Sequence, residues 1–206
     1  MGQWPAAIAL AKFRTFLKSE KGSSPYTVRN YNRDVGDFLL FLRDLGISDV
    51  AMVDKQMVRR YLASLSSVRD DAREASSAGY ARASINRKLS SLRTFYRFLR
   101  REDIVTDNPL LGVKTPKMEK RLPAFLDQED VSRLLSVSFP ESPYGLRDKA
   151  ILELLYAGGC RVSEVVQLNR GDIDFGEKQV RVLGKGSKER IVPIGVPAQQ
   201  AMRLYD

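Results

Sequence analysis

The sequence predicts a mainly α-helical chain with one small β-hairpin, an α+β protein built in two parts. Three observations carry this. Apolar residues recur at spacings of three and four through most of the chain. Only 179–183 and 190–194 read as β-rich, facing each other across a Gly/Lys/Ser loop, and a basic, proline-containing stretch over 108–123 interrupts the helical pattern. With 206 residues, 43% of them hydrophobic, there is material for two small cores. The expected division is a helical unit over 1–107, a linker over 108–123 and a second unit over 124–206.

Leu10, Phe13 and Leu17 mark a first short helix. Ser24-Pro25 caps and starts a second, whose apolar positions Val28, Tyr31, Val35, Phe38, Leu42 and Leu45 keep helical spacing until Gly46 ends it. A third begins near Asp54 and carries Val58, Tyr61, Leu62 and Leu65; the polar run Ser66 to Gly79 after it reads as a mobile loop. The fourth, over 83–101, places Ile85, Leu89, Leu92, Tyr96 and Leu99 on one stripe. The three prolines of 108–123 (Pro109, Pro116, Pro123) disfavour helix and extend the linker. Beyond it, Asp127 caps a helix through Val131, Leu134 and Leu135, and an apolar helix from Leu146 to Ala157 ends at Gly158-Gly159. Val162, Val165, Val166 and Leu168 give a short helix with Arg161 at its N-terminus, the hairpin follows, and Tyr205 falls in a last helix starting near Pro197.

The net charge of +9 raises the expectation of a polyanionic partner, and its distribution sharpens it. Residues 1–110 hold 19 Lys/Arg against 12 Asp/Glu, and within 82–101 there are seven basic residues and no acidic one. Stepping about 100° per residue puts Arg87, Arg93, Arg97 and Arg101 on one side of the fourth helix, with Lys88 nearer the apolar boundary. A solvated face usually mixes signs, so this face favours DNA as the partner. Lys114, Lys117, Lys120 and Arg121 either follow a phosphate backbone or are simply solvated. Histidine is absent and Cys160 is the single cysteine, which argues against a zinc enzyme, a histidine-based hydrolase and a disulfide framework. No apolar run is long enough to span a bilayer and the start lacks signal-peptide character, so a cytoplasmic protein without a membrane partner is expected.

Two motifs carry chemistry. Arg161 opens Arg161-Val162-Ser163-Glu164, where a helix N-terminus favours an anion and Glu164, three residues on, either orients the guanidinium or forms a surface ion pair worth little. Lys185 lies in the hairpin loop Gly184-Lys185-Gly186-Ser187-Lys188, which taken alone reads as an ordinary lysine-bearing turn. A nucleotide-binding P-loop is excluded there, because Gln179 stands where its first glycine is needed and Gly186 where its Ser/Thr is needed.

Four helices, a basic proline linker, Tyr156-Ala157-Gly158-Gly159-Cys160-Arg161-Val162-Ser163-Glu164 and Val182-Leu183-Gly184-Lys185-Gly186-Ser187-Lys188-Glu189-Arg190-Ile191-Val192-Pro193-Ile194 together resemble the tyrosine recombinase/phage integrase family, nearest to its bacterial Xer-type members. The resemblance runs from Ser24-Pro25-Tyr26-Thr27 through Arg121-Leu122-Pro123 to the hairpin. It implies a helical, SAM-like core-binding domain and part of a catalytic domain, clamped around double-stranded DNA and needing no metal or nucleotide cofactor. By motif, Arg161 corresponds to the arginine that contacts the scissile phosphate and Lys185 to the lysine that protonates the departing 5′ oxygen. The helix over 83–101 resembles the family's groove-facing helix, which makes Arg87, Lys88, Arg93 and Arg97 DNA-contact candidates; Lys188 joins them, and Glu164 joins as a supporting residue. Family members assemble as tetramers on two DNA sites, so self or homologous subunits are further expected partners. The family pattern goes on to His-x-x-Arg, another His or Trp, and a nucleophilic tyrosine. None follows Lys185 in these residues, and Tyr205 stands too close after it. The expectation is a recombinase stretch, truncated before the nucleophile, that binds DNA and does not cut it alone; the alternative is a non-catalytic DNA-binding protein occupying recombination sites. Cys160 reads as a small buried filler.

Overall fold

The computed structural model describes residues 5–66, 80–117, 124–184, 186 and 188–206. The chain forms two compact units that divide between residues 121 and 122. The loop expected over 66–79 falls, apart from Ser66, outside the described residues.

The first unit consists of α1 (Ala6–Ser19), α2 (Pro25–Asp44), α3 (Lys55–Ser66) and α4 (Arg82–Arg101), with a 3₁₀ turn at Val50–Met52. Side-chain caps set two of the starts. Ser24 Oγ accepts the Thr27 N–H at 3.3 Å with Pro25 in the first turn, and Asp54 Oδ1 accepts the Met57 N–H at 2.8 Å. All five stripe residues predicted for α4 are buried, and Phe95 and Phe98 are buried beside them. The buried arc is wider than a single stripe because α4 packs against both α1 and α2. Aromatic edges lock that packing: Phe13 meets Phe95 with ring centroids 5.2 Å apart, and Phe38 meets Tyr61 at 5.0 Å.

Residues 108–113, the start of the expected linker, pack onto this unit through buried Leu110 and Val113. Side chains of α4 hold residues 113–116 in place. Arg93 donates to Val113 O at 2.7 Å and Thr115 Oγ1 at 2.9 Å, and Asn86 to Pro116 O at 3.1 Å. The proline-containing stretch offers carbonyls that no strand or helix uses, and α4 supplies the donors.

The second unit contains α5 (Gln128–Leu135), α6 (Pro143–Gly158), α7 (Val162–Val166), β1 (Ile173–Asp174), β2 (Gln179–Leu183), β3 (Glu189–Pro193) and α8 (Val196–Tyr205). Ser142 Oγ caps α6 through the Gly145 N–H at 3.2 Å, so this helix begins earlier than the Leu146 expected from its apolar pattern. The three strands form an antiparallel sheet in the order β1-β2-β3, with Val180 opposite Val192 and Val182 opposite Arg190. Val180, Val182, Val192 and Ile194 turn inward onto a core completed by Ala150 and Leu154 of α6 and Ala198, Ala201 and Met202 of α8. Strand β1 escapes the sequence pattern because two residues are too short to show a period. Among the described residues no helix is long and apolar enough to cross a membrane.

Candidate phosphate-binding site and basic surface

A sharp chain reversal between α6 and α7 builds the candidate site. Gly159 adopts φ +53°, left-handed backbone that a side chain disfavours, and ends α6. Its neighbour Gly158 lies so close to the sheet that a Cβ there would stand 2.7 Å from Val192 Cγ1. Cys160 then turns into the core, the small buried filler expected, with burial pushing its thiol up. Arg161 emerges with its side chain 67% exposed.

Glu164 organises this corner. Its side chain is 1% exposed, yet both oxygens are satisfied: Oε1 accepts from Arg161 Nη1 at 2.8 Å, and Oε2 accepts from the Arg161 backbone N–H at 2.8 Å and from Arg190 Nη2 at 2.9 Å. The carboxyl, ordinarily near 4.5, is held down to about 2, above all by the Arg161 backbone N–H, with the Arg190 and Arg161 side chains overcoming the opposing effect of burial. The sequence pattern offered an orienting contact or a weak surface pair at Glu164; the buried geometry is the former. At the start of α7 the Arg161 N–H is itself taken, because Glu164 reaches back to it. Arg161 can meet an anion only through its guanidinium.

The hairpin closes against the same carboxylate. A Cβ on Gly184 would lie 3.3 Å from Glu164 Oε1, so glycine lets the loop approach it, and the Gly184 N–H donates to Lys188 O at 2.7 Å. Lys188 is exposed. Lys185, the candidate general acid, lies outside the described residues, as do Lys120 and Arg121. Arg190, the second guanidinium on this carboxylate, is the residue of the cluster that sequence reasoning missed. Its place in a β-rich run gave no signal, because only the fold brings β3 beside α7.

On the first unit the predicted basic face separates into three kinds of residue. Arg97 of α4 is exposed, as are Lys114 and Lys117. Arg87 is exposed but paired with Asp34, and Arg93 is half-buried, bonded to the 113–115 backbone and side chain. Lys88 requires a correction. Its side chain is 3% exposed, ion-paired with Asp37 and 3.7 Å from Asp34 Oδ1, while Asp34 also accepts from Ser91 Oγ at 2.8 Å. At the apolar boundary of α4 the lysine is drawn inward by two α2 carboxylates, so it cannot serve as a surface contact.

Tyr96 is fully buried, donates to Val50 O at 3.3 Å, and has its phenol raised well above the usual value by burial. Such a hydroxyl is inert as a nucleophile. Tyr205 falls in α8 as expected, but half-exposed rather than packed away.

The chain thus holds a four-helix unit and a helical unit with a three-stranded antiparallel sheet, in which an exposed arginine is held by a buried carboxylate. Two family models match: "Phage integrase, N-terminal SAM-like domain" over residues 10–103 and "Phage integrase family" over 124–205. Among curated proteins, Tyrosine recombinase XerC of Pelotomaculum thermopropionicum is 40% identical over 203 residues, covering 96% of this chain and 63% of that protein. Tyrosine recombinase XerC of Oceanobacillus iheyensis is 44% identical over 193 residues, 94% of this chain and 60% of that one. The chain thus spans less than two thirds of the length of these relatives. Of solved structures, a lambda integrase dimer bound to a COC' core site superposes with TM-score 0.67 at 16% identity, covering 98% of this chain and 54% of that one. The Tn1549 transposon integrase in complex with circular intermediate DNA gives TM-score 0.68 at 14% identity, over 98% and 64%. The chain belongs to the phage integrase family of tyrosine recombinases, in its Xer-type branch.

Proposed function

We propose that this chain is the DNA-binding and phosphate-activating portion of a site-specific recombinase, acting in the cytoplasm on double-stranded DNA. The observation that carries the reading is Arg161: an exposed guanidinium fixed from behind by a buried carboxylate, beside the hairpin loop that contains Lys185. In the reaction, a tyrosine hydroxyl attacks the scissile phosphorus, the bond to the 5′ oxygen breaks, and the chain is held as a 3′-phosphotyrosine until a second hydroxyl reverses the step. Arg161 stabilises charge on the phosphoryl oxygens as it builds, and Lys185 hands a proton to the departing 5′ oxygen. No metal or nucleotide enters, because the phosphotyrosine conserves the phosphodiester bond energy. Arg87, Arg97, Lys114, Lys117, Arg121 and Lys188 supply phosphate-backbone contacts, and further recombinase subunits complete the assembly.

For the 206 residues alone the proposal is binding without cleavage, since neither His-x-x-Arg nor a tyrosine in the nucleophile's setting follows Lys185. Duplex affinity should fall steeply with salt, and a nicked suicide substrate should give no covalent protein–DNA adduct. Binding that ignores salt would sink the DNA-binding reading. An adduct would refute inactivity and identify a tyrosine within this chain as the nucleophile.

A further inference from the structure

Arg190 takes no part in the phosphoryl transfer itself, yet it meets the same carboxylate as Arg161. It projects from β3 opposite Val182, with its side chain 41% exposed, and donates through Nη2 to Glu164 Oε2 at 2.9 Å. The same nitrogen lies 3.4 Å from Gly159 O, at the left-handed turn immediately before Cys160 and Arg161. Arg190 therefore links the hairpin to both sides of the Arg161 corner, at the turn and at the carboxylate.

The charge balance gives that link a consequence. Glu164 is buried and carries a full negative charge between two guanidinium groups. With Arg190 absent, Arg161 is, among the described residues, the only side-chain cation bonded to the carboxylate, and the attraction draws its guanidinium inward toward both oxygens. With Arg190 in place, one oxygen is already served. Arg161 then needs a single nitrogen for Glu164, and its remaining N–H groups face outward for an anion.

We propose that Arg190 is a positioning residue for Arg161, acting through the shared Glu164 carboxylate and tying β3, and with it the lysine-bearing loop, to the turn that presents Arg161. The role rests on the reading of Arg161 as the phosphate contact. It differs from a direct DNA contact, because an independent cation would add its effect to that of Arg161 while a positioning residue would not.

The test is a double-variant cycle on the 206-residue chain, reading the Kd for a fluorescein-labelled duplex, together with side-chain NMR. Arg161→Ala should weaken binding by about five- to tenfold in the wild-type background and by less than about twofold in the Arg190→Gln background. Arg190→Lys, which keeps a cation near Glu164, should restore most of the sensitivity to Arg161→Ala. In the NMR arm, the Glu164 carboxyl should titrate at higher pH in Arg190→Gln than in wild type, with Arg190→Lys between them, and the Arg161 guanidinium resonances should move. Additive losses in the cycle, or a Glu164 midpoint unmoved by Arg190→Gln, would overturn the proposal. Should Arg190→Gln fail to fold, Arg190→Lys and the unmodified chain decide: slow guanidinium rotation and protected N–H protons at Arg190 are expected, and free rotation overturns it. If the wild-type chain does not bind DNA at all, the recombinase reading fails on its own, and the NMR arm still decides whether Arg190 holds Glu164 and Arg161.

Discussion

Glu164 concentrates three donors on two buried oxygens, and the consequence is a specific acid sensitivity. A carboxyl held down to about 2 in the folded chain, against 4.5 ordinarily, binds fewer protons folded than unfolded between those values. Its contribution to stability is therefore complete above the unfolded value and is lost as pH falls from about 4.5 toward 2. Urea unfolding of the second unit, followed at about pH 6 and about pH 3, should show that loss, and Glu164→Gln should make the difference between the two pH values smaller. An unchanged pH difference would show that the three donors do not hold the carboxylate. A second residue-scale expectation concerns Lys88. Removing it takes the buried cation from Asp37 and from Asp34, which keeps only Arg87 and Ser91, so Lys88→Ala should destabilise the first unit by about 1–3 kcal/mol in urea unfolding. A cost below about 0.5 kcal/mol, the ordinary value for a surface position, would return Lys88 to the DNA-contact set.

At the scale of elements, the turn from α6 into α7 depends on close approach to β3. Gly158→Ala would set a Cβ 2.7 Å from Val192 Cγ1 and 2.9 Å from Cys160 Sγ, and the sheet or the turn must shift to admit it. A loss of about 1–3 kcal/mol is expected, with Arg161 displaced, so DNA affinity should fall along with stability. Stability falling with affinity unchanged would separate the turn from the phosphate contact. Helix α4 has two jobs that share one surface. Its apolar arc closes the first core, while Arg93 and Asn86 hold residues 113–116. Arg97→Gln is accordingly the cleaner probe of DNA binding, because Arg87 and Arg93 are also structural. It should lower affinity and reduce the slope of log K against log salt by about one contact, without moving the urea midpoint. A lowered midpoint would show that Arg97, too, is structural.

Across the whole molecule, two separate hydrophobic clusters imply two cooperative units. Phe13→Ala removes a fully buried ring that meets Phe95 and Phe98, a change of about 3–5 kcal/mol. Hydrogen exchange should accelerate through α1, α2 and α4 while the amides of β2 and β3 keep their protection. Uniform acceleration across both units would mean that the chain unfolds as one.

Most of the helices, the hairpin, and Arg161 with Glu164 were legible in the sequence, because caps, apolar periodicity and glycine-flanked loops are local signals. Ser24, Asp54 and Asp127 announce helix starts through their own hydrogen bonds, whatever the rest of the chain does. Strand β1, the inward turn of Lys88, the packing of Leu110 and Val113, and the place of Arg190 were not legible. Each depends on a partner distant in the sequence: Val180 for Ile173, Asp34 for Lys88, α4 for the 108–117 segment, Glu164 for Arg190. The sequence alone determined the periodicity, the caps and the family motif around Arg161, because each is written within a few neighbouring residues. Only the tertiary structure decided which cations face solvent and which are spent on buried carboxylates, because burial and charge pairing are set by elements that meet only when the chain has folded.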